Sequence, residues 1–184
     1  MDTKWLQILF AYIINTSSNS HFDILNYLIS FNTDNISHVN NDGFTVITYA
    51  VLNDNVKMLK LLSNLKGIDV QFTHCNQQNS TLEYAASENK LETVKYFLNL
   101  KCTNNSHKFL GLISAIKNGH LDIVKYSLSV KNTQFFTQCN SDGENILAIA
   151  VINNQLDIVK YLLTMHNNNN LNVSTKYGYT PFLL

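Results

Sequence analysis

The stretch HLDIVKYSL, residues 120–128, returns almost letter for letter as QLDIVKYLL at residues 155–163. Related stretches begin at residues 21, 55 and 90, so the five starts follow one another by 34, 35, 30 and 35 residues. An enzyme core has no need of such a recurrence, which is typical of a protein built by stacking copies of one small unit. Each copy has apolar residues at helical spacing, such as Leu156, Val159 and Leu163, and we interpret it as an amphipathic outer helix.

A second apolar segment precedes each of the last four copies, starting at residue 45, 80, 110 or 145. Each of these inner segments carries an alanine at one register, where a small side chain lets a neighbouring helix approach closely. These alanines are Ala50, Ala85, Ala115 and Ala150. Four residues later comes a residue that tolerates the left-handed conformation which ends a helix, namely Asp54, Asn89, Gly119 or Asn154. The pattern predicts hairpins of an inner helix, a sharp turn and an outer helix.

The residues before the inner segments form a third recurring feature. Glycines in turn-forming surroundings are Gly43, Gly143 and Gly178. The predicted N-caps that follow are Thr45, Ser80, Asn145 and Thr180, with Pro181 at the first helical position. A lysine recurs at one slot of the outer helices, as Lys60, Lys95, Lys125 and Lys160, and marks a solvent-exposed face.

These residues resemble the ankyrin repeat family. Its helix-opening pattern T-P-L-H-x-A-A is echoed by STLEYAA (80–86) and GYTPF (178–182), and its G-H-x-x-I-V-x-x-L-L by GHLDIVKYSL (119–128). The resemblance implies an all-α helix–turn–helix solenoid of about four complete repeats, with an irregular N-terminal unit and a truncated C-terminal unit. We expect a single domain over residues 1–184, with units at roughly 1–39, 40–74, 75–104, 105–139 and 140–174 and a partial unit at 175–184.

The chain also departs from the family pattern. The histidine of the helix-opening motif is replaced in every copy, by Thr48, Glu83, Ile113, Ala148 and Leu183. Thr93 and Ser127 place polar groups in core slots, which costs stability unless they are bonded locally. The step between the repeat copies that start at residues 90 and 120 is only 30 residues and leaves no room for a full turn. Residues 101–108 are therefore interpreted as a trimmed connection. The apolar run Trp5–Ile14 is expected to be the inner helix of the first unit.

Composition excludes several functional classes. Thirteen basic and thirteen acidic residues give no net charge, which argues against binding to nucleic acid or to a membrane surface. Cys75, Cys102 and Cys139 form no CxxC pair, and no catalytic or phosphate-binding constellation is present. We therefore expect no catalytic residues, no metal, no cofactor and an intracellular, cytoplasmic protein. The abundant asparagine, including residues 167–170, is interpreted as loop filler, with a polar interaction tract as the alternative.

By resemblance, the chain is expected to be a scaffold or adaptor that binds an unknown protein partner through its concave face and turn tips. The alternative is a non-catalytic fragment or targeting segment of a larger ankyrin repeat protein. Phe44 and Ile152 are the strongest candidates because they are apolar where solvent is expected. The full candidate set is Asn41, Asp42, Phe44, Leu52, Asn53, Gln77, Asn79, Ser87, Glu88, Lys117, Asn118, Ser141, Asp142, Glu144, Ile152 and Asn153.

The C-terminal end raises a separate expectation. Residues 180–184 form only the opening of a further inner helix, and a helix so short is not stable alone. A fraying end at residues 179–184 and an uncovered apolar flank on the fifth unit are therefore expected. The side chains assigned to that flank are Leu147, Ile149, Ile158 and Leu162. We expect the flank to be covered in the cell by a partner, by a second copy of the chain through self-association, or by additional chain.

Overall fold

A computed structural model describes residues 44–65, 80–100, 103–130, 133–165, 176–178 and 180. The chain divides into two compact units, Met1–Phe97 and Leu98–Leu184. The helices of the described residues are α1 (Val46–Leu52), α2 (Val56–Ser63), α3 (Thr81–Ser87), α4 (Leu91–Asn99), α5 (Asn105–Lys117), α6 (Leu121–Ser129), α7 (Ile146–Ile152) and α8 (Leu156–Met165), with a 3₁₀ turn at Thr133–Phe136. No strand occurs among these residues, and Cys139 and Asn145 form only an isolated bridge. The predicted all-α repeat class is confirmed.

The hairpins begin and turn where the sequence predicts. The side chains of Thr45, Ser80 and Asn145 each accept a hydrogen bond from the backbone N–H three residues later, as N-caps do. Four residues between inner and outer helices have positive φ angles: Asp54 (51°), Asn89 (57°), Gly119 (77°) and Asn154 (57°). The residues after Thr180 lie outside the described part, so its role as an N-cap stays a prediction.

In two repeats, the residue that replaces the histidine of the family pattern helps to cap its own helix. Thr48 Oγ1 accepts a hydrogen bond from the backbone N–H of Thr45, and Glu83 Oε1 accepts one from that of Ser80. Each pair is a capping box, in which the first and fourth residues satisfy each other's backbone donors. Thr48 and Glu83 therefore each stabilise the N-terminus of the helix in which they lie.

The third inner helix corrects the predicted boundary. We expected it to start at residue 110, after a trimmed connection, but α5 starts at Asn105 and runs for 13 residues. Asn104 supplies the N-cap, its Oδ1 lying 2.8 Å from the backbone nitrogen of His107. Buried Phe109 anchors this added length against Phe135, with ring centroids 5.8 Å apart. The shortened spacing is thus taken up by a longer helix.

Within each unit, the core lies between the helices of each hairpin and between the two described hairpins. The four repeated alanines, Ala50, Ala85, Ala115 and Ala150, are all fully buried. In the first unit α1 contacts α3, and in the second α5 contacts α7. Burying a leucine or isoleucine side chain in such a core contributes about 1.5–3 kcal/mol. The lysine slot faces solvent as predicted: Lys60, Lys125 and Lys160 are exposed, and Lys95 is half-exposed.

Asp54 joins the two described hairpins of the first unit. From the turn between α1 and α2, its carboxylate accepts hydrogen bonds from the backbone N–H groups of Glu92 (3.2 Å) and Thr93 (2.7 Å). These groups lie in the first turn of α4, where a helix has no internal acceptor for them. Lys90, which precedes α4, has no side-chain acceptor to offer. The preceding hairpin therefore supplies the N-cap of α4.

Gln155 joins the two described hairpins of the second unit. It stands just before α8, and its side-chain amide donates a hydrogen bond to the carbonyl oxygen of Lys117, the last residue of α5 (3.1 Å). Gly119 makes room for it, since a Cβ atom at Gly119 would lie 2.6 Å from Gln155 Oε1. This bond satisfies one of the carbonyl groups left without a partner where α5 ends.

A tyrosine at one slot of the outer helices makes further contacts between hairpins. Tyr96 donates its hydroxyl proton to Ser63 Oγ (3.1 Å), and the hydroxyl of Tyr126 accepts a hydrogen bond from Asn99 Nδ2 (2.8 Å). The ring of Tyr161 lies 5.9 Å from the ammonium group of Lys125. Each of these contacts lies within one unit, and the three tyrosine rings are half-buried.

The predicted apolar flank involves other residues than those expected. Leu147, Ile149, Ile158 and Leu162 are at most 8% exposed, so assigning them to an open flank was wrong. They lie on the sides of α7 and α8 that pack against each other, against α5 and against α6. The opposite side of α8 is open: Leu156 is 61% and Leu163 43% exposed. Their counterparts in α6, Leu121 and Leu128, are half-buried and buried.

Several predictions fall on residues outside the described part. They concern the helix at Trp5–Ile14, the turn at Gly43, the asparagine run at 167–170 and the helical position of Pro181. The predicted fraying of residues 179–184 also lies outside the described residues, of which only Thr180 is described in that range. The single domain over 1–184, with its unit boundaries, also stays a prediction.

Candidate partner-binding surface

Four of the predicted contact residues serve the ends of their own inner helices. The side-chain amides of Asn53, Asn118 and Asn153 donate to the backbone carbonyl four residues earlier, at 2.9, 2.8 and 2.8 Å. Ser87 Oγ donates to the carbonyl of Tyr84 at 2.8 Å. Each of these carbonyl groups also accepts a backbone N–H, so the side chain adds a second hydrogen bond in the last turn of the helix. The four side chains therefore have a structural role beside any contact with a partner.

The turn tip before α7 is a tightly bonded loop. Asn140 Oδ1 accepts hydrogen bonds from the backbone N–H groups of Asp142 and Glu144, both at 2.9 Å. Asn140 Nδ2 donates to Glu144 Oε2 at 2.7 Å. Of the three predicted contact residues here, Ser141 is exposed, while Asp142 and Glu144 are half-buried. One asparagine thus holds the loop in a defined shape.

The same turn tip is linked to residues 176–178. Asp142 forms an ion pair with the ammonium group of Lys176, and its carbonyl accepts a hydrogen bond from the Lys176 backbone N–H (3.1 Å). The side-chain hydrogen bond to Asp142, helped by one to Tyr177, raises the pKa of the Lys176 ammonium group. That group lies 5.0 Å from the ring of Tyr177, which is 70% exposed. We did not predict Lys176 or Tyr177, although the repeat spacing places them in register with Ser141 and Asp142.

In the first unit the inner helices present aromatic side chains. Tyr49 in α1 and Tyr84 in α3 stand at one register, four residues after each N-cap, and both are half-buried. The rings of Phe44 and Tyr49 meet in a T-shaped arrangement, with centroids 5.8 Å apart and an interplanar angle of 83°. Leu52, at the end of α1, is also half-buried. We name the set Phe44, Tyr49, Leu52, Tyr84 and Glu88 the tyrosine surface.

Three members of the tyrosine surface, Phe44, Leu52 and Glu88, were among the predicted contact residues, and the two tyrosines were not. The signal was available, because a tyrosine recurs 35 residues apart at a fixed distance from the N-cap. Both lie in the middle of an inner helix, whereas the predicted contacts were limited to the turn tips and the ends of the inner helices. The predicted exposure of Phe44 is only partial, because Tyr49 covers one side of its ring.

The charge of the tyrosine surface differs from that of the second unit. Neither α1 nor α3 contains a lysine, arginine or histidine, and Glu88 at the C-cap of α3 is exposed. A negative side chain beside a helix C-terminus adds to the negative end of the helix dipole. By contrast, α5 has the exposed Lys117 in its last turn, where a cation is favourable.

Among the remaining predicted contacts, Ile152 at the end of α7 is 47% exposed, as its apolar character suggested. Asn41, Asp42, Gln77 and Asn79 lie outside the described residues. Within the part of the chain that the structure describes, no three His, Cys, Asp or Glu side chains are grouped so as to hold a metal ion. In the same ranges no helix has the length and apolar character to cross a bilayer.

The hairpin geometry, the repeat spacing and the left-handed turns agree with the comparison of the sequence with known families. The model of ankyrin repeats (three copies) matches residues 13–108 and 112–184. The chain belongs to the ankyrin repeat family, whose members generally mediate protein–protein interactions and are typically non-catalytic. No curated protein matches the sequence.

Proposed function

We propose that this protein is a non-catalytic interaction scaffold that binds a partner protein through its inner helices and turn tips. The observation that carries the proposal is the tyrosine surface, where two half-exposed tyrosines stand at one register on contacting helices. Tyrosine is enriched among the residues that dominate binding energy, because it offers a large apolar ring and a polar tip. Phe44 and Leu52 supply apolar area beside it.

The turn tip before α7 supports the same proposal. Its bonds to Asn140 and Lys176 exist before any partner arrives. A loop that is already ordered loses little conformational entropy on binding, so more of its contact energy appears as affinity. The exposed Ser141 and Tyr177 are the side chains that it offers.

Affinity capture from the native cell tests this proposal. The tagged chain is compared with Tyr84→Ala and with a matched outer-face control, Lys125→Ala, after both variants are shown by thermal melting to be folded. We expect capture of the partner to fall about tenfold for Tyr84→Ala and to stay unchanged for Lys125→Ala. Equal capture by all three proteins would show that the tyrosine surface does not bind the partner.

We also propose that the chain self-associates through the open side of α8. Leu156, Val159 and Leu163 stand at i, i+3 and i+7, which is the spacing of a helix–helix seam, and Leu156 and Leu163 are largely exposed. Such a stripe can pair with its own copy about a two-fold axis. Because a few apolar side chains form a small interface, the dimer is expected to be weak.

Sedimentation velocity over a concentration series tests the self-association. The double variant Leu156→Glu, Leu163→Glu should remain monomeric at concentrations where the native chain forms dimers. Thr164→Glu, an exposed change on the same helix, serves as the control and should behave like the native chain. A native chain that stays monomeric throughout the series would disprove the idea.

A further inference from the structure

We infer that the ligand of the tyrosine surface is a proline-rich segment in the polyproline II conformation, carrying a basic residue at its flank. This inference rests on the proposed function and names the class of partner at that surface. Three properties of the first unit support it: the spacing of the two tyrosines, the chemistry of their rings, and the sign of the nearby charge.

The spacing comes from the packing of the inner helices. Because α1 contacts α3, and contacting helices have axes about 8–10 Å apart, we expect Tyr49 and Tyr84, which stand at one register, to lie about that far apart. A polyproline II helix rises 3.1 Å per residue with three residues per turn, so one face repeats about every 9 Å. A segment with proline at every third position would therefore bring successive prolines to successive tyrosines.

The ring chemistry suits proline. Proline-rich ligands dock on aromatic side chains, and their preformed helix loses little entropy on binding. Phe44 contacts the Tyr49 ring at a nearly perpendicular angle, so this ring is already supported on one side. Tyr49 and Tyr84 are half-buried, which leaves part of each aromatic side chain open to a ligand while the rest packs against the protein.

The charge favours a basic flank. Glu88 is exposed at the end of α3, and Glu83 in the same helix bonds to its own N-cap, Ser80. Neither α1 nor α3 contains a basic residue, and Lys90, two residues beyond Glu88, is half-buried. An arginine or lysine in the ligand would meet the carboxylate of Glu88 and the negative end of α3.

The second unit lacks this combination. At the register of the two tyrosines it has Ser114 in α5 and Ile149 in α7, and Ile149 is fully buried. At the register of Leu52 it has the exposed Lys117, which would repel a basic ligand. The inference is therefore specific to the first unit.

Fluorescence anisotropy with synthetic peptides tests the inference on the full chain. The probes are labelled 14-residue peptides with proline at every third position, arginine at both ends, and varied uncharged residues between. A control set has the same composition with the proline spacing scrambled, and another has glutamate in place of arginine. We expect micromolar binding of at least one regularly spaced probe, with binding about tenfold weaker for its scrambled and glutamate counterparts.

Variants assign the binding to the surface. Tyr84→Ala should weaken binding about tenfold, whereas Tyr84→Phe, which keeps the ring, should bind nearly as well as the native chain. Glu88→Gln should weaken the arginine probe and not a probe with uncharged ends. Tyr126→Ala, at an outer helix of the second unit, is the control and should bind normally.

Two results would overturn the inference: no binding by any regularly spaced probe, or equal binding of regular and scrambled probes. If the capture experiment still shows a partner that depends on Tyr84, the proposed scaffold function stands and only the partner class is wrong. If neither the probes nor any captured protein depend on Tyr84, both proposals fail.

Discussion

Within each unit, a side chain at the junction between the two described hairpins hydrogen-bonds a helix end of the other hairpin. The side chain is an acceptor in the first unit and a donor in the second. In the first unit the left-handed slot holds Asp54, an acceptor for the start of the following outer helix. In the second unit the same slot holds Gly119, and Gln155 acts as a donor to the end of the preceding inner helix. A Cβ atom at Gly119 would meet Gln155 at 2.6 Å, so the residue in this slot decides which helix end is capped.

The largest effect is expected from removing the acceptor of the first junction. Asp54→Ala loses two hydrogen bonds to backbone N–H groups at the start of α4 and puts a Cβ-bearing residue without a polar side chain at a φ of 51°. We expect the free energy of unfolding to fall by about 3 kcal/mol, of which about 2 comes from the lost cap and about 1 from the backbone. Chemical denaturation measures the change.

Two control variants separate these contributions. Asn89 has the same left-handed backbone (φ 57°) and an exposed side chain, so Asn89→Ala should cost only about 1 kcal/mol. Asp54→Gly removes the carboxylate but suits the backbone, and should cost about 2 kcal/mol. If Asp54→Ala costs no more than Asn89→Ala, the carboxylate does not stabilise the junction.

The second junction is expected to respond next most strongly. Gly119→Ala introduces strain at a φ of 77° and forces Gln155 away from the carbonyl of Lys117, for a loss of about 2 kcal/mol. Gly178→Ala is the matched control, since it has a φ of 81° and nothing within 4 Å of the new Cβ, and it should cost only about 1 kcal/mol. In a Gln155→Ala background, Gly119→Ala and Gly178→Ala should lower the free energy of unfolding by the same amount. If Gly119→Ala still costs more there, the clash with Gln155 is not the reason for its larger effect.

A smaller effect of opposite sign is expected in the core beside the first junction. Thr93 is fully buried and its hydroxyl oxygen has no hydrogen-bond partner, whereas its counterpart in the second unit is the apolar Ile123. Thr93→Val should therefore raise the free energy of unfolding by about 1 kcal/mol, because an unsatisfied buried hydroxyl is removed. Thr164→Val, where an exposed hydroxyl bonds to the Tyr161 carbonyl, should give no gain. A loss of stability for Thr93→Val, measured by thermal melting, would mean that the hydroxyl is satisfied.

The smallest effect is expected at the outer helices. Tyr96→Phe removes the hydroxyl that donates to Ser63 and should cost about 0.5 kcal/mol, near the low end for a partly exposed hydrogen bond. Tyr161→Phe keeps the ring that lies near Lys125 and should leave stability unchanged. Double-mutant cycles with Ser63→Ala measure the coupling, and additive losses would show that the bond has no net strength.

The sequence predicted part of the candidate surface. Phe44, Leu52 and Glu88 were selected from the repeat phase, and the structure leaves each of them at least partly exposed. Tyr49 and Tyr84 were missed because the predicted contacts were limited to turn tips and inner-helix ends, and periodicity alone does not show which mid-helix side chains stay partly exposed. How much of each ring stays open depends on what neighbouring helices cover.

Local physical chemistry accounts for what the sequence alone determined about this protein. A left-handed turn needs Gly, Asn or Asp, a helix start needs a side-chain acceptor, and close helix packing needs alanine. These needs are met within a few residues, so repetition of the pattern revealed the hairpins, their caps at Thr45, Ser80 and Asn145, and their family.

Tertiary structure decided what depends on contacts between hairpins. Helix α5 starts at Asn105 and not at the predicted residue 110, because Asn104 caps it and Phe109 packs on Phe135. Ile158 and Leu162 are buried and Leu156 and Leu163 exposed because packing covers one side of α8, a choice that helical periodicity cannot make. Asp54 and Gln155 found their partners 38 residues away because stacking brings helix ends together, and no local pattern in the chain encodes that approach.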